Sequence, residues 1–245
     1  MLSPYSIGTA MAMALAGARG ENAAEMTEVL GIRLPRGQVN DANATVITSL
    51  NGAPSETFQL RIANAVVLTK RGAAITEDYV AMLHEKYAVD VFRGADLATV
   101  NSWVREKTNG KIPSIIDRLD PTTMLVLVNA IYFKAPWGEA FNAKATRNET
   151  FHLIGGSAQV PMMHITSDFT LAERPGYRAL RLPYAGSRVA MVVVLPDDNK
   201  AGFEERLDGD EMALLLAALQ KPAAAGRAFA APFQSQLRGR PRRTV

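Results

Sequence analysis

A chain of 245 residues with 48% hydrophobic and 21% charged positions can bury a substantial core, as one large domain or two small ones, and has an ordinary globular balance. It contains no cysteine, which excludes a disulfide framework and thiol chemistry, and no apolar run approaches the ~18 residues of a membrane helix. The formal net charge is +3, but residues 222–245 carry five arginines (Arg227, Arg238, Arg240, Arg242, Arg243) and no acid, so the remainder carries −2. Nucleic-acid binding leaves a basic stripe on a folded face; an Arg-rich terminal stretch is a different pattern, and no nucleic-acid partner is expected.

Ser3 is a good N-cap and Pro4 a good first helical residue, so a helix is predicted over residues 4–16. The stretch 7–18 is apolar, but Met1-Leu2 supplies no basic leader region, so it is not read as a signal peptide. Asn22 caps a second predicted helix ending at Leu30, with Gly31 suited to the left-handed closing position. A polar, helix-compatible segment covers residues 40–50, and residues 58–68 (FQLRIANAVVL) read as a strand. Thr76 caps a helix to Tyr87 with Glu77 and Asp78 in its first turn. A short strand at 89–92 and a helix over 97–108 follow.

Residues 124–133 (MLVLVNAIYF) form an apolar run read as a strand covered on both faces. The run contains one amide, Asn129, which has to be bonded, because an unpaired one would cost about 1–3 kcal/mol. Beyond it come shorter strands separated by Gly, Pro and Asp turns, then two short helices at 202–207 and 210–219. Helices dominate the first half and antiparallel-looking strands the second, which favours α+β over a βαβ repeat.

Several motifs stand in the order of one known family. Leu2-Ser3-Pro4-Tyr5-Ser6-Ile7 with Gly17-Ala18-Arg19-Gly20 is similar to the second helix of the serpins and the turn after it. Asn101-Ser102-Trp103-Val104 with Thr108-Asn109-Gly110-Lys111-Ile112 resembles the family's helix lying across its main sheet. The 124–133 strand with Trp137, then Val160-Pro161-Met162-Met163, Leu182-Pro183-Tyr184 and residues 190–196 (AMVVVLP), complete the series. The resemblance covers residues 2–219. It implies an α+β fold in which helices pack around a large central mixed sheet, with 124–133 central in it, plus a second, smaller antiparallel sheet. It also places Ser3, Ser6 and Asn129 in the polar cluster called the shutter, and Trp137 at the breach, where an inserting loop enters the sheet. Ala135 stands where the family usually has a glycine.

By the same resemblance the activity implied is inhibition of a serine protease, less often a cysteine protease. The inhibitor acts as a suicide substrate: its reactive-centre loop is cleaved and inserts as a new strand into the main sheet. No such loop is found here. Residues 1–219 are read as a serpin-like domain lacking the family's N-terminal helix and C-terminal reactive-centre region. Residues 220–245 are read as an Arg/Ala/Pro-rich tail, disordered or translated out of frame. If Ala231-Pro232-Phe233-Gln234-Ser235 is encoded as GCC CCG TTT CAA AGC, the frame one base later reads Pro-Arg-Phe-Lys, the type of strand start that the family resemblance implies soon after residue 219. The expectation is a truncated, non-inhibitory chain with no protease partner of its own and a tendency to self-associate through unpaired strands. The alternative is a non-inhibitory binding module on the same scaffold. The family is often extracellular, and the cytoplasm is also open to a chain read without a signal peptide.

An enzyme would need a catalytic constellation. The three histidines, His84, His152 and His164, show neither a Gly-x-Ser-x-Gly elbow nor metal-ligand spacing. No catalytic residue, metal or cofactor is expected, and a hydrolase is the least favoured reading.

Overall fold

The computed structural model describes residues 3–52, 57–69, 75–153, 155–186, 188–197, 203–220 and 226–230, the last five as backbone. The chain divides into two compact units, Met1–Lys134 and Ala135–Val245. Helices dominate the first and strands the second.

In the first unit, α1 (Pro4–Gly17) starts where the local chemistry places it: the Ser3 hydroxyl accepts from the Ser6 amide at 3.1 Å. Helix α2 (Gly20–Val29) begins two residues before the expected Asn22, with Arg19 at the N-cap and no side-chain cap bond. Helix α3 (Arg36–Leu50) is a turn longer at its start than the polar segment suggests, because Pro35 leads into it without needing an amide of its own. Strand β1 (Gln59–Thr69), α4 (Glu77–Tyr87, capped by Thr76), β2 (Val89–Ala95), α5 (Leu97–Lys107, capped by Asp96) and β3 (Leu125–Lys134) follow the predicted order.

The three strands form a mixed sheet in the order β2-β1-β3, with β1 parallel to β2 and antiparallel to β3. Alternation along β1 sends Val66 and Leu68 to one face, where they join Met13, Leu83 and Tyr87 of the helices. Ala65 and Val67 go to the other, where Val100, Trp103 and Val104 of α5 cover them. Both faces are thus covered, as the apolar runs require. One expectation is corrected: among the described residues β1, not β3, is the central strand, and β3 lies at the edge. Val128 of β3 is buried, while Val126 and Ile131 are only half-buried.

Among its described residues the second unit holds two three-stranded antiparallel sheets. The first is β4 (Arg147–Leu153), β5 (Gly156–Ser167) and β9 (Gly226–Ala230); the second is β6 (Thr170–Arg174), β7 (Tyr177–Pro183) and β8 (Ala190–Pro196). Two short helices, α6 (Phe203–Arg206) and α7 (Gly209–Ala218, capped by Asp208), lie between β8 and β9 in the chain. Leu215 and Leu219 pack on Ala172, Tyr177 and Ala179, covering one face of the β6–β8 sheet. Strand β9 departs from the expectation of a structureless tail after residue 219: ladder bonds use backbone only, so an unpatterned segment can still pair. The rest of the stretch 231–245, including the reading-frame reading at 231–235, lies outside the described residues.

Candidate functional site

The mixed sheet carries Asn129, the amide singled out in the sequence. Asn129 and Asn64 stand directly opposite in the β1–β3 ladder. The Asn129 amide Nδ2 donates to Asn64 Oδ1 at 2.7 Å, and Asn64 Nδ2 donates to the Tyr87 carbonyl at 2.8 Å. A relay therefore runs from β3 through β1 to the end of α4. Asn64 is 1% exposed and Tyr87 fully buried, so the Asn64–Tyr87 bond is made away from water and its loss leaves a group unsatisfied, whereas the Asn129–Asn64 bond is half-buried. The Tyr87 hydroxyl donates to Asn40 Oδ1 at 2.8 Å, and burial pushes its pKa up to about 12. Asn129 Oδ1 is buried with no hydrogen-bond partner among the described residues.

Ser3 and Ser6 form a pair of their own. The Ser6 hydroxyl donates to Ser3 Oγ at 2.8 Å, beside the capping bond from the Ser6 amide. Helix α1 packs against β3, but no hydrogen bond among the described residues joins the serines to Asn129. The structure thus brings Ser3 to Ser6 and Asn129 to Asn64 without merging the three. Asn64 was not singled out in the sequence, although the test applied to Asn129, an amide inside an apolar run, fits IANAVVL equally well.

Across the opposite face lies α5 with the second motif. Trp103 Nε1 donates to Asp90 Oδ2 at 2.8 Å, Lys107 Nζ sits 3.0 Å from the same oxygen, and the Lys107 ammonium lies 5.8 Å from the Trp103 ring centre. Partial burial opposes ionisation of Asp90, but the Trp103 and Lys107 bonds outweigh it and hold its carboxyl below the ordinary range. Asn101 fixes the segment after the helix: Nδ2 donates to the Ile116 carbonyl at 2.9 Å, and Oδ1 accepts from the Ile115 amide at 2.9 Å. Thr108 Oγ1 donates to the Val104 carbonyl at 2.7 Å and accepts from the Ile112 amide at 3.1 Å. Gly110, at φ +74°, takes the left-handed position that lets its amide reach the Arg105 carbonyl at 2.8 Å. Val104 is fully buried beneath, and Lys111 is exposed. The whole motif is a docking-and-termination device for one helix, and Asp90, its anchor on β2, was missed because nothing local marks it.

Trp137 stacks on Tyr184 within the second unit, with ring centres 4.7 Å apart at 15°, and meets Phe141 edge-on at 5.7 Å. Phe169 and Leu182 back it, and the Gly138 amide bonds the Pro183 carbonyl at 2.8 Å. A second cluster not foreseen ties α7 to the β6–β7 hairpin. Arg174 bonds both Glu211 oxygens at 2.9 Å, and the Tyr177 hydroxyl donates to Glu211 Oε1 at 2.6 Å. The Arg174 guanidinium, with the Tyr177 hydroxyl, holds the Glu211 carboxyl down at about 2. Of the histidines, His164 Nε2 lies 3.0 Å from Glu149 Oε1. No group of three or more potential metal ligands occurs among the described residues.

Residues 1–225 match the family model described as Serpin (serine protease inhibitor). An uncharacterized serpin-like protein of Thermococcus kodakarensis is 42% identical over 219 residues, which are 85% of this chain and 50% of that protein. The leukocyte elastase inhibitor of Bos taurus is 38% identical over 216 residues, 80% of this chain and 54% of that protein. Among solved structures, the thermophilic serpin tengpin in its native state superposes with a TM-score of 0.85 at 26% identity, covering 94% of this chain and 60% of tengpin. The chain spans about half the length of the curated relatives it matches. A family match over most of its residues, with relatives well above 30% identity and the same fold, makes this chain a member of the serpin family.

Proposed function

We propose that this 245-residue polypeptide carries the scaffold of a serine-protease inhibitor without the element that inhibits. The activity implied by the family is suicide-substrate inhibition of a serine, less often a cysteine, protease, and it belongs to an architecture about twice this length. The observation that carries the reading is the content of residues 226–245. They lie past the family match, and five of them form a ladder strand. Read as sequence, they carry no Glu-Ala-Ala-Ala-type hinge. A polypeptide without a loop to cleave has nothing to insert. The shutter and breach assignments of Ser3, Ser6, Asn129 and Trp137 are part of the same proposal, supported by the half-buried Asn129–Asn64 bond and the Trp137–Tyr184 stack. No catalysis is proposed, and an extracellular location rests on the family resemblance alone. Incubation with trypsin-like, chymotrypsin-like and subtilisin-like enzymes is expected to leave their hydrolysis rates unchanged; time-dependent, stoichiometric loss of activity would refute the proposal.

A second reading, self-association, is favoured by one observation. Val193 and Leu195 of β8 are 41% and 58% exposed, and among the described residues β8 and β3 each lie at the edge of their sheet. Open edges beside exposed apolar side chains are templates for pairing. Sedimentation velocity across a concentration series should show oligomers at tens of micromolar, and a single monomeric boundary throughout would remove this reading.

A further inference from the structure

The turn joining β6 to β7 is Pro175-Gly176, set between the paired residues Arg174 and Tyr177. Proline followed by a glycine at φ +86° suits a tight turn whose second position is left-handed. Gly176 has another reason to lack a side chain. A Cβ built on it would stand 2.9 Å from Arg206 Nη2 and 3.2 Å from Nη1, so the guanidinium of α6 rests against the bare turn. Beside it lies a cavity of about 210 Å³ lined by Pro175, Tyr177, Phe203, Arg206, Leu207 and Glu211. The Tyr177 and Phe203 rings meet edge to face there, with centres 5.4 Å apart.

The lining divides by chemistry. Pro175, Tyr177, Phe203 and Leu207 give apolar walls, and a dry cavity of about 150 Å³ already holds benzene, so this one takes a single ring. Glu211 offers no free acceptor face, because Arg174 bonds both its oxygens and the Tyr177 hydroxyl donates to Oε1. That leaves Arg206, whose guanidinium makes no hydrogen bond or ion pair with a described residue and so has donors to give. A planar carboxylate matches a guanidinium fork two bonds at a time. Four exposed acids in 204–210, Glu204, Glu205, Asp208 and Asp210, disfavour anything more highly charged. We propose that this cavity binds a small aromatic monocarboxylate, its ring among Tyr177, Phe203 and Leu207 and its carboxylate on Arg206. The site lies wholly within the second unit and is independent of whether the chain inhibits a protease.

Saturation-transfer NMR on the full chain tests it, with benzoate as the probe and benzyl alcohol and benzylamine as ring-matched neutral and cationic controls. Benzoate is expected to bind saturably with a Kd of about 1 mM or below, benzyl alcohol more weakly and benzylamine not measurably. Arg206→Gln, a change at an exposed side chain, should weaken benzoate by about tenfold or more. Leu207→Trp, which fills the cavity, should abolish binding with the far-ultraviolet circular dichroism unchanged. No saturable benzoate binding, benzylamine binding as tightly as benzoate, or a Kd unmoved by Arg206→Gln would overturn the site. If Leu207→Trp does not fold, Arg206→Gln and the benzylamine comparison decide it.

Discussion

Replacing Asn64 by alanine should cost about twice as much stability as replacing its partner. Asn64 is 1% exposed and makes two bonds, donating to the Tyr87 carbonyl in a buried bond and accepting from the half-buried Asn129. Asn64→Ala strands the Tyr87 carbonyl, at about 1–3 kcal/mol, and the half-buried Asn129 amide, at about 1–2 kcal/mol, so roughly 2–5 kcal/mol in all. Asn129→Ala strands only Asn64 Oδ1 and should cost about 1–3 kcal/mol. Because the double variant strands neither the Asn129 amide nor Asn64 Oδ1, it should fall short of the sum of the single variants by about 2–3 kcal/mol. Urea unfolding read by Trp103 fluorescence gives these numbers for the first unit, since the chain has two tryptophans and Trp137→Phe silences the other. An additive double variant, or a larger loss from Asn129→Ala than from Asn64→Ala, would refute the relay.

Two further outcomes follow from the clusters. Glu211, held at about 2 by Arg174 and Tyr177 against an ordinary 4.5, stabilises the fold above the ordinary value and loses that contribution as pH falls towards about 2. Acid titration of near-ultraviolet circular dichroism should therefore show a Tyr177 signal lost in that window and absent in Glu211→Gln. Asn101→Ala should free the segment it holds, raising amide exchange at Ile115 and Ile116 by about tenfold or more while α5 stays protected; unchanged exchange there would show that the loop is held by other contacts.

The parts of the molecule that were legible in the sequence are those fixed by neighbours in the chain. Thr76 and Ser3 cap the helices they precede, and Thr108-Asn109-Gly110 ends α5, because capping and left-handed turns are decided within a few residues. The apolar run around Asn129 announced a strand and a bonded amide, although Met124, Leu125 and Phe133 near its ends stay exposed. It could not announce that β3 lies at an edge, because burial of faces governs side-chain pattern whereas lateral neighbours use only the backbone. For the same reason β9 was invisible. Asn64 and Asp90 were missed because their importance arises from register across strands and from helix docking, which are non-local. Residue 129 could be picked out alone; its partner required knowing that Asn64 stands opposite.

Intact mass spectrometry after mixing this polypeptide with excess trypsin-like and chymotrypsin-like protease, followed by denaturation, bears most directly on whether it is a serpin scaffold without an inhibitory element. The expected spectrum contains free protease and either intact or simply proteolysed chain. A species at the summed mass of protease and chain, joined by a bond that survives denaturant, would mean that some segment here serves as a reactive-centre loop, and the functional reading would fall.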